Sequence, residues 1–181
     1  MTEPVPETIP FGDGAADEVL LRGTFNRPLD PDTRSRLLRE ALRVLKPGGR
    51  LFVHTLTGDR PMDGQPSLPG PAALVQFVPV ADDLLRQVAA AGFQGLRLAK
   101  YGAAPCFTQH GVAMRETQLE AHKPAAGAGR CEVLYKGPFR EVTDDAGHAY
   151  PRGGRVSVPA AAAALLRQGP LAEQFLIFDG K

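Results

Sequence analysis

Several residues in this sequence have types and positions that could do chemistry. His54 and Thr55 end the run Arg50-Leu51-Phe52-Val53. An imidazole there could take a proton from a bound molecule, because histidine ordinarily titrates near neutrality; a hydrogen-bonded structural histidine is the other reading. Arg22-Gly23-Thr24-Phe25-Asn26 follow the apolar run Glu18-Val19-Leu20-Leu21. Both stretches lie at the carboxyl ends of predicted strands, where open α/β sheets hold their ligands. Tyr101 and His110 flank Cys106 in a Gly-rich stretch that could wall a pocket. Asp144 and Asp145 could form an acid/base or metal pair, but a turn needs aspartate for its own backbone bonds, and the turn is the expected role. Arg152 and Arg155 are too few to make a nucleic-acid footprint. Cys106 and Cys131 match no zinc spacing and read as free thiols, while His122 and His148 read as surface residues.

The elements that position these groups follow from local pattern. Met1–Ile9 is expected to be irregular or a leading strand, and Pro10-Phe11-Gly12-Asp13-Gly14 is a turn. Asp30-Pro31 precedes Leu37, Leu38, Ala41, Leu42 and Leu45 at spacings of three and four, which predicts a capped amphipathic helix. Pro47-Gly48-Gly49 ends it and Arg50–Thr55 follows as a strand, an αβ unit of a parallel sheet. Gly58–Gly70 is a long Pro/Gly-rich loop with little to bury. A second helix, Pro79–Ala91, carries Leu84, Leu85 and Val88 on one face and stops at Gly92. Gly95–Tyr101 alternates as a half-buried strand, and Val112–His122 is its expected antiparallel partner. Lys123–Arg130 has linker composition. Beyond it, Cys131–Tyr135, Phe139–Thr143, Arg155–Val158 and Gln174–Phe178 read as strands. Pro159–Gln168, with five consecutive alanines, reads as a short helix. The expected domains are residues 1–123 and 131–181, joined by 124–130.

Composition bounds the partners. The chain has 181 residues, 43% apolar and 23% charged, with 21 basic side chains against 20 acidic ones. That is a globular profile without the basic field that nucleic acid or an anionic membrane rewards. No apolar run reaches the ~20 residues needed to cross a bilayer, and Glu3 and Glu7 stand where a signal peptide wants positive charge. The expected location is cytoplasmic.

The segment Leu37–Val53, with its Arg-Val-Leu-Lys-Pro-Gly-Gly-Arg-Leu core, resembles the helix, turn and fifth strand of class I S-adenosylmethionine-dependent methyltransferases. Ile9–Val19 is similar to the family's preceding turn and fourth strand. Leu84–Phe93 is similar to the helix before its sixth strand. The resemblance covers residues 9 to 122. It implies an α/β fold, a partial Rossmann-like methyltransferase sheet (the second half) followed by a small α+β domain. It also implies S-adenosylmethionine as cofactor, with Arg22, Gly23 and Thr24 on the cofactor-binding side; His54, from its place at the strand end, is the candidate catalytic base, and no metal is expected. The tail, from Val133-Leu134-Tyr135-Lys136-Gly137 to Phe178, is similar to a small extension found after the methyltransferase domain in some bacterial proteins, including relatives of arsenite methyltransferases. Those enzymes grip the metalloid through cysteines; here the spacing departs and a third cysteine is absent, so arsenic chemistry is not expected.

The family's donor site also uses a glycine-rich turn after its first strand and an acidic residue after its second, and neither occurs in this sequence. Its adenine-contacting carboxylate is not identifiable near Pro4-Val5-Pro6. A truncated methyltransferase-like domain is therefore expected. The family's fourth strand pairs with its first, so Glu18–Leu21 would expose an edge that another chain covers, that the N-terminal residues fold over, or that truncation leaves open. Expected partners are a small-molecule methyl acceptor or a second protein chain, with a homo-oligomer among the options. The rival reading is a non-catalytic binding or subunit module that completes its sheet with a partner.

Overall fold

A computed structural model describes residues 8–169 and 171–179. The expectations for Met1–Glu7 lie outside the described residues. The chain divides into two compact units, Met1–Lys123 and Pro124–Lys181.

In the first unit, β1 (Ala16–Arg22), β2 (Leu45–Gly58), β3 (Gln94–Tyr101), β4 (Phe107–Gln109) and β5 (Val112–His122) form one sheet. Its order is β1-β2-β5-β3, with β4 paired to β5. β1 runs parallel to β2, while β5 is antiparallel to both β2 and β3, as the alternation of β3 and β5 predicts. Two helices cover one face. α1 (Pro31–Val44) starts at Asp30, whose carboxylate accepts from the Thr33 amide at 2.8 Å, and Pro31 supplies the first helical position. α2 (Ala81–Ala90) ends before Gly92, which has φ +101°. Leu38, Ala41, Leu84 and Val88 from the helices bury against Leu21, Leu51, Val53, Leu119 and Ala121 of the sheet.

The helix and strand meet differently from the periodicity. Leu45, on the expected helix face, opens β2 and pairs with Ala16, whereas Glu18 pairs with Arg50. Pro47-Gly48-Gly49 is thus a bulge inside the strand. Gly48 takes φ +78°, and a Cβ on Gly49 would lie 2.9 Å from the Lys46 carbonyl oxygen and 3.1 Å from that of Asp17, so neither position suits a larger residue. Lys123 Nζ donates to the Leu45 carbonyl at 2.7 Å, satisfying an acceptor at the helix end. The Gly58–Gly70 loop also departs from expectation. Leu68 and Val78 of the segment after β2 bury against Leu56, Val112 and Met114, forming a satellite core. His122 and His148, expected on the surface, are each half-buried.

The second unit pairs β6 (Arg130–Tyr135) antiparallel with β9 (Arg155–Pro159) and β10 (Phe175–Asp179). α3 (Ala160–Gln168) packs Ala162 and Ala163 into the core made by Val133, Tyr135, Tyr150, Val158 and Phe175. β7 (Glu141–Thr143) and β8 (Ala149–Pro151) form a separate hairpin.

Two predictions follow from packing and charge. Leu38 is fully buried, so Leu38→Ala should cost about 3 kcal/mol in urea unfolding. Leu20→Ala, at a site 45% exposed, should cost a small fraction of that. Arg43 binds Glu40, and the Ile9 amide donates to the same carboxylate, lowering its pKa from 4.5 to about 2. Because the folded-state pKa is depressed, this stabilisation is present above pH 4.5 and is lost as pH falls towards 2. Glu40→Gln should flatten that acid limb of the stability profile.

Candidate functional site

Glycine lets the chain turn sharply at the carboxyl end of β1. Gly23 takes φ +67°, its amide donates to the His54 carbonyl at 2.8 Å, and open space lies where a Cβ would be. Thr24–Asn26 then form one short 3₁₀ turn. Arg22 and His54 are direct partners across the parallel pair β1–β2. Alternation puts both on the sheet face away from the helices, since Leu21 and Val53 enter the core. The structure therefore brings together Arg22, Gly23 and His54, with Thr24 next to them in the chain. Thr55, whose side chain alternation turns to the opposite face, is buried.

His54 is held by charge from the neighbouring strand. Its Nε2 lies 3.0 Å from Glu116 Oε1, and the other carboxylate oxygen of Glu116 accepts from Lys100 Nζ at 2.5 Å. The Lys100 ammonium keeps the Glu116 carboxyl below the usual carboxylate range, with Gln118 and His54 adding to the effect. A carboxylate fixed in this way orients the ring and leaves Nδ1 facing away from it. A histidine positioned by a carboxylate can accept a proton from a bound molecule.

Asn26 is the functional-site residue that sequence pattern did not single out. It is 6% exposed. Its Nδ2 donates to the carbonyls of Leu56 at 2.8 Å and Phe77 at 3.0 Å. Its Oδ1 accepts from Thr55 Oγ1 at 2.8 Å and from the Leu56 amide at 2.9 Å. Its backbone carbonyl accepts from the Gln76 and Phe77 amides. One amide side chain thus ties the β1 turn, the end of β2 and the segment before α2 together. Phe77 in turn lies under the Arg34 guanidinium at 4.2 Å. Only the turn-forming type of Asn, next to Gly23 and Thr24, hinted at such a role.

The other candidates resolve locally. His110, at φ +49°, and Gly111 make the β4–β5 turn, so His110 is a hairpin residue. Tyr101 stacks near Arg115, which also donates to the carbonyls of Gly102 and Ala103. Cys106 is exposed, and Cys131 is buried in the core of the second unit. Asp144 accepts from the Ala146 and His148 amides and from Tyr150 Oη, with His148 Nδ1 at 2.8 Å. Burial works to raise its pKa, but the Tyr150 and His148 hydrogen bonds more than offset it and leave it lowered. That is a turn-fixing aspartate, not an acid/base pair with Asp145. Arg155 pairs with Glu132 and stacks on Phe178, and Arg152 donates to the Pro138 carbonyl. Among the described residues, no helix is long and apolar enough to cross a membrane.

Comparison with known proteins agrees with this architecture. A sequence model of the methyltransferase domain family (Methyltransf_11) matches residues 3–53, which span β1, the Arg22–Asn26 turn, α1 and β2 up to Val53. A domain of unknown function (DUF8838) matches residues 127–180. No curated protein matches. Among solved structures, an arsenic(III) S-adenosylmethionine methyltransferase from Chlamydomonas reinhardtii is similar at 21% identity and TM-score 0.52, over 94% of this chain and 62% of that one. A possible histamine N-methyltransferase from Thermotoga maritima is 20% identical, with TM-score 0.45, over 65% of this chain and 60% of that one. A methyltransferase from Methanosarcina mazei is 17% identical, with TM-score 0.45, over 66% of this chain and 65% of that one. This chain thus spans about three fifths of the length of the first two. It has a class I S-adenosylmethionine methyltransferase-like fold.

The Asn26 node generates its own test. Asn26→Ala leaves the Leu56 and Phe77 carbonyls and the Leu56 amide without their side-chain partner, which should cost about 3 kcal/mol. Hydrogen exchange should then rise first at Gln76 and Phe77, ahead of β5.

Proposed function

We propose that this chain belongs to an S-adenosylmethionine-dependent methyltransferase and supplies one wall of its site, the carboxyl edge of β1 and β2. The observation that carries the reading is the match of residues 3–53 to the methyltransferase domain, because that stretch contains the edge residues Arg22, Gly23 and Thr24. The open backbone at Gly23 fits close approach of a ligand. The glycine-rich turn that cradles the donor elsewhere in the family is not among these 181 residues. The outer edge of β1, last in the strand order, is where the rest of such a sheet would pair.

In this reading Gly23 and Thr24 hold the donor from one side, Arg22 next to them faces the acceptor side, and the donor when bound supplies an electrophilic methyl group. The protein's own contribution is placement and proton removal. Glu116 and Lys100 fix the His54 ring, and Nδ1 is the atom that takes the acceptor's proton. The Asn26 node keeps the Gly23 turn and the 75–79 segment in a fixed relation, so the wall is pre-formed.

Calorimetric titration of the chain with S-adenosylhomocysteine tests the proposal. Saturable one-site binding is expected, weakened at least tenfold by Gly23→Val, which forces a β-branched residue to positive φ and fills the open approach. Absence of heat at several temperatures would contradict it. His54→Gln should leave that affinity within twofold, because the imidazole serves the acceptor side.

A further inference from the structure

We infer that the open sheet face at the Arg22–His54 end binds a carboxylate carried on an apolar body, and, resting on the methyltransferase reading above, that this ligand is the methyl acceptor. Charge on this face is almost fully matched within the fold. Glu18 and Glu120 both pair with Arg50, Glu120 also pairs with Arg97, and Glu116 pairs with Lys100 and His54. Set Arg22, Arg50, Arg97 and Lys100 against Glu18, Glu116 and Glu120, and one cation is left over. Arg22 is that cation. Its guanidinium has no hydrogen bond or ion pair among the described residues, in contrast to Arg50 on β2 and Arg97 on β3.

A planar guanidinium with free donors matches a carboxylate bidentately, and the single uncompensated charge matches a monoanion better than a phosphate dianion. His54 lies directly across from Arg22, one strand spacing or about 5 Å away, so a ligand held on Arg22 lies beside the imidazole whose Nδ1 takes the acceptor's proton. The next row of the same face is apolar on β1 and β2, before it meets Glu120 on β5. Leu20 and Phe52 are direct partners in the β1–β2 register, Leu20 is 45% exposed, and the Phe52 ring lies 6.5 Å from that of His54. Towards the other end, the same-face residues after His54 and Glu116 are Leu56 and Met114, sealed beneath Leu68 and Val78. On β1 and β2 a polar row therefore lies between a sealed apolar cluster and the Leu20–Phe52 pair. A ligand with its carboxylate on Arg22 would lay its body across Leu20 and Phe52, satisfying the one guanidinium and covering the exposed leucine together.

The methyl donor also carries a carboxylate, so the test separates the two sources. The 181-residue chain, labelled with nitrogen-15, is titrated with benzoate, with benzyl alcohol as its uncharged counterpart, and with S-adenosylhomocysteine and 5′-methylthioadenosine, which lacks the amino-acid carboxylate. Benzoate is expected to shift the Arg22 Nε, Gly23 and His54 signals saturably, while benzyl alcohol does not. Arg22→Gln should weaken benzoate at least tenfold and Leu20→Ser severalfold. Arg22→Lys should fall between wild type and Arg22→Gln, with each amide spectrum confirming the fold. Benzoate shifts that do not saturate, or that survive Arg22→Gln, overturn the site. If Arg22→Gln weakens S-adenosylhomocysteine but leaves 5′-methylthioadenosine and benzoate unchanged, Arg22 holds the donor's carboxylate, and the acceptor assignment falls while the methyltransferase reading stands. Arg22-dependent benzoate binding with no S-adenosylhomocysteine binding keeps the anion site and overturns its assignment to a methyl acceptor.

Discussion

The antiparallel ladder between β2 and β5 is the constraint on which the rest of the first unit depends. Its register runs without a break from Arg50 opposite His122 to Gly58 opposite Met114. Side chains alternate along a strand, so a slip of one residue would either turn Leu51 and Val53 out of the core and His54 into it, or turn Leu119 out and Glu116 and Glu120 in. Burying those charges against α1 and α2 would cost far more than any local preference could offset. Correct register places Glu116 beside His54 and Lys100. The chemistry proposed for the edge is thus a consequence of how hydrophobic pattern fixes the sheet.

Asn26 couples that ladder to the irregular parts of the chain. A buried amide with every hydrogen-bonding position used is a strong local constraint, because each partner would otherwise be a desolvated backbone group. It holds the turn after β1 and the segment before α2 to the same two residues, Thr55 and Leu56, at the end of β2. The Pro/Gly-rich stretch after β2 is consequently anchored at its far end and sealed along its length by Leu68 and Val78. Such a loop can wall a site without first being ordered by a ligand.

Much of this was legible in the sequence because apolar spacing reports burial directly. The α1 face of Leu37, Leu38 and Ala41, the Gly92 stop and the pairing of β3 with β5 all follow from periodicity and turn chemistry. The resemblance of Leu37–Val53 located the fold class. Leu45 was misplaced because its spacing fits the helix as well as it fits a strand start, and only its pairing with Ala16 of β1 decides between them. The satellite core under the long loop was missed because Leu68 and Val78 stand isolated among prolines and polar residues, with no period to reveal them. His54 was visible as a strand-end histidine, but Glu116 and Lys100 lie far along the chain and carry no motif. Asn26 looks like any turn asparagine until its partners, up to 51 positions away, are in place.

The most direct measurement of the central claim is the cross-strand register at the edge, read from nuclear Overhauser contacts in the labelled chain. The account predicts contacts that join Arg22, His54 and Gln118 as one row, with Leu20, Phe52 and Glu120 as the next. Contacts placing residue 117 or 119 directly opposite His54 would put the imidazole and its carboxylate on opposite faces, and would contradict the site altogether.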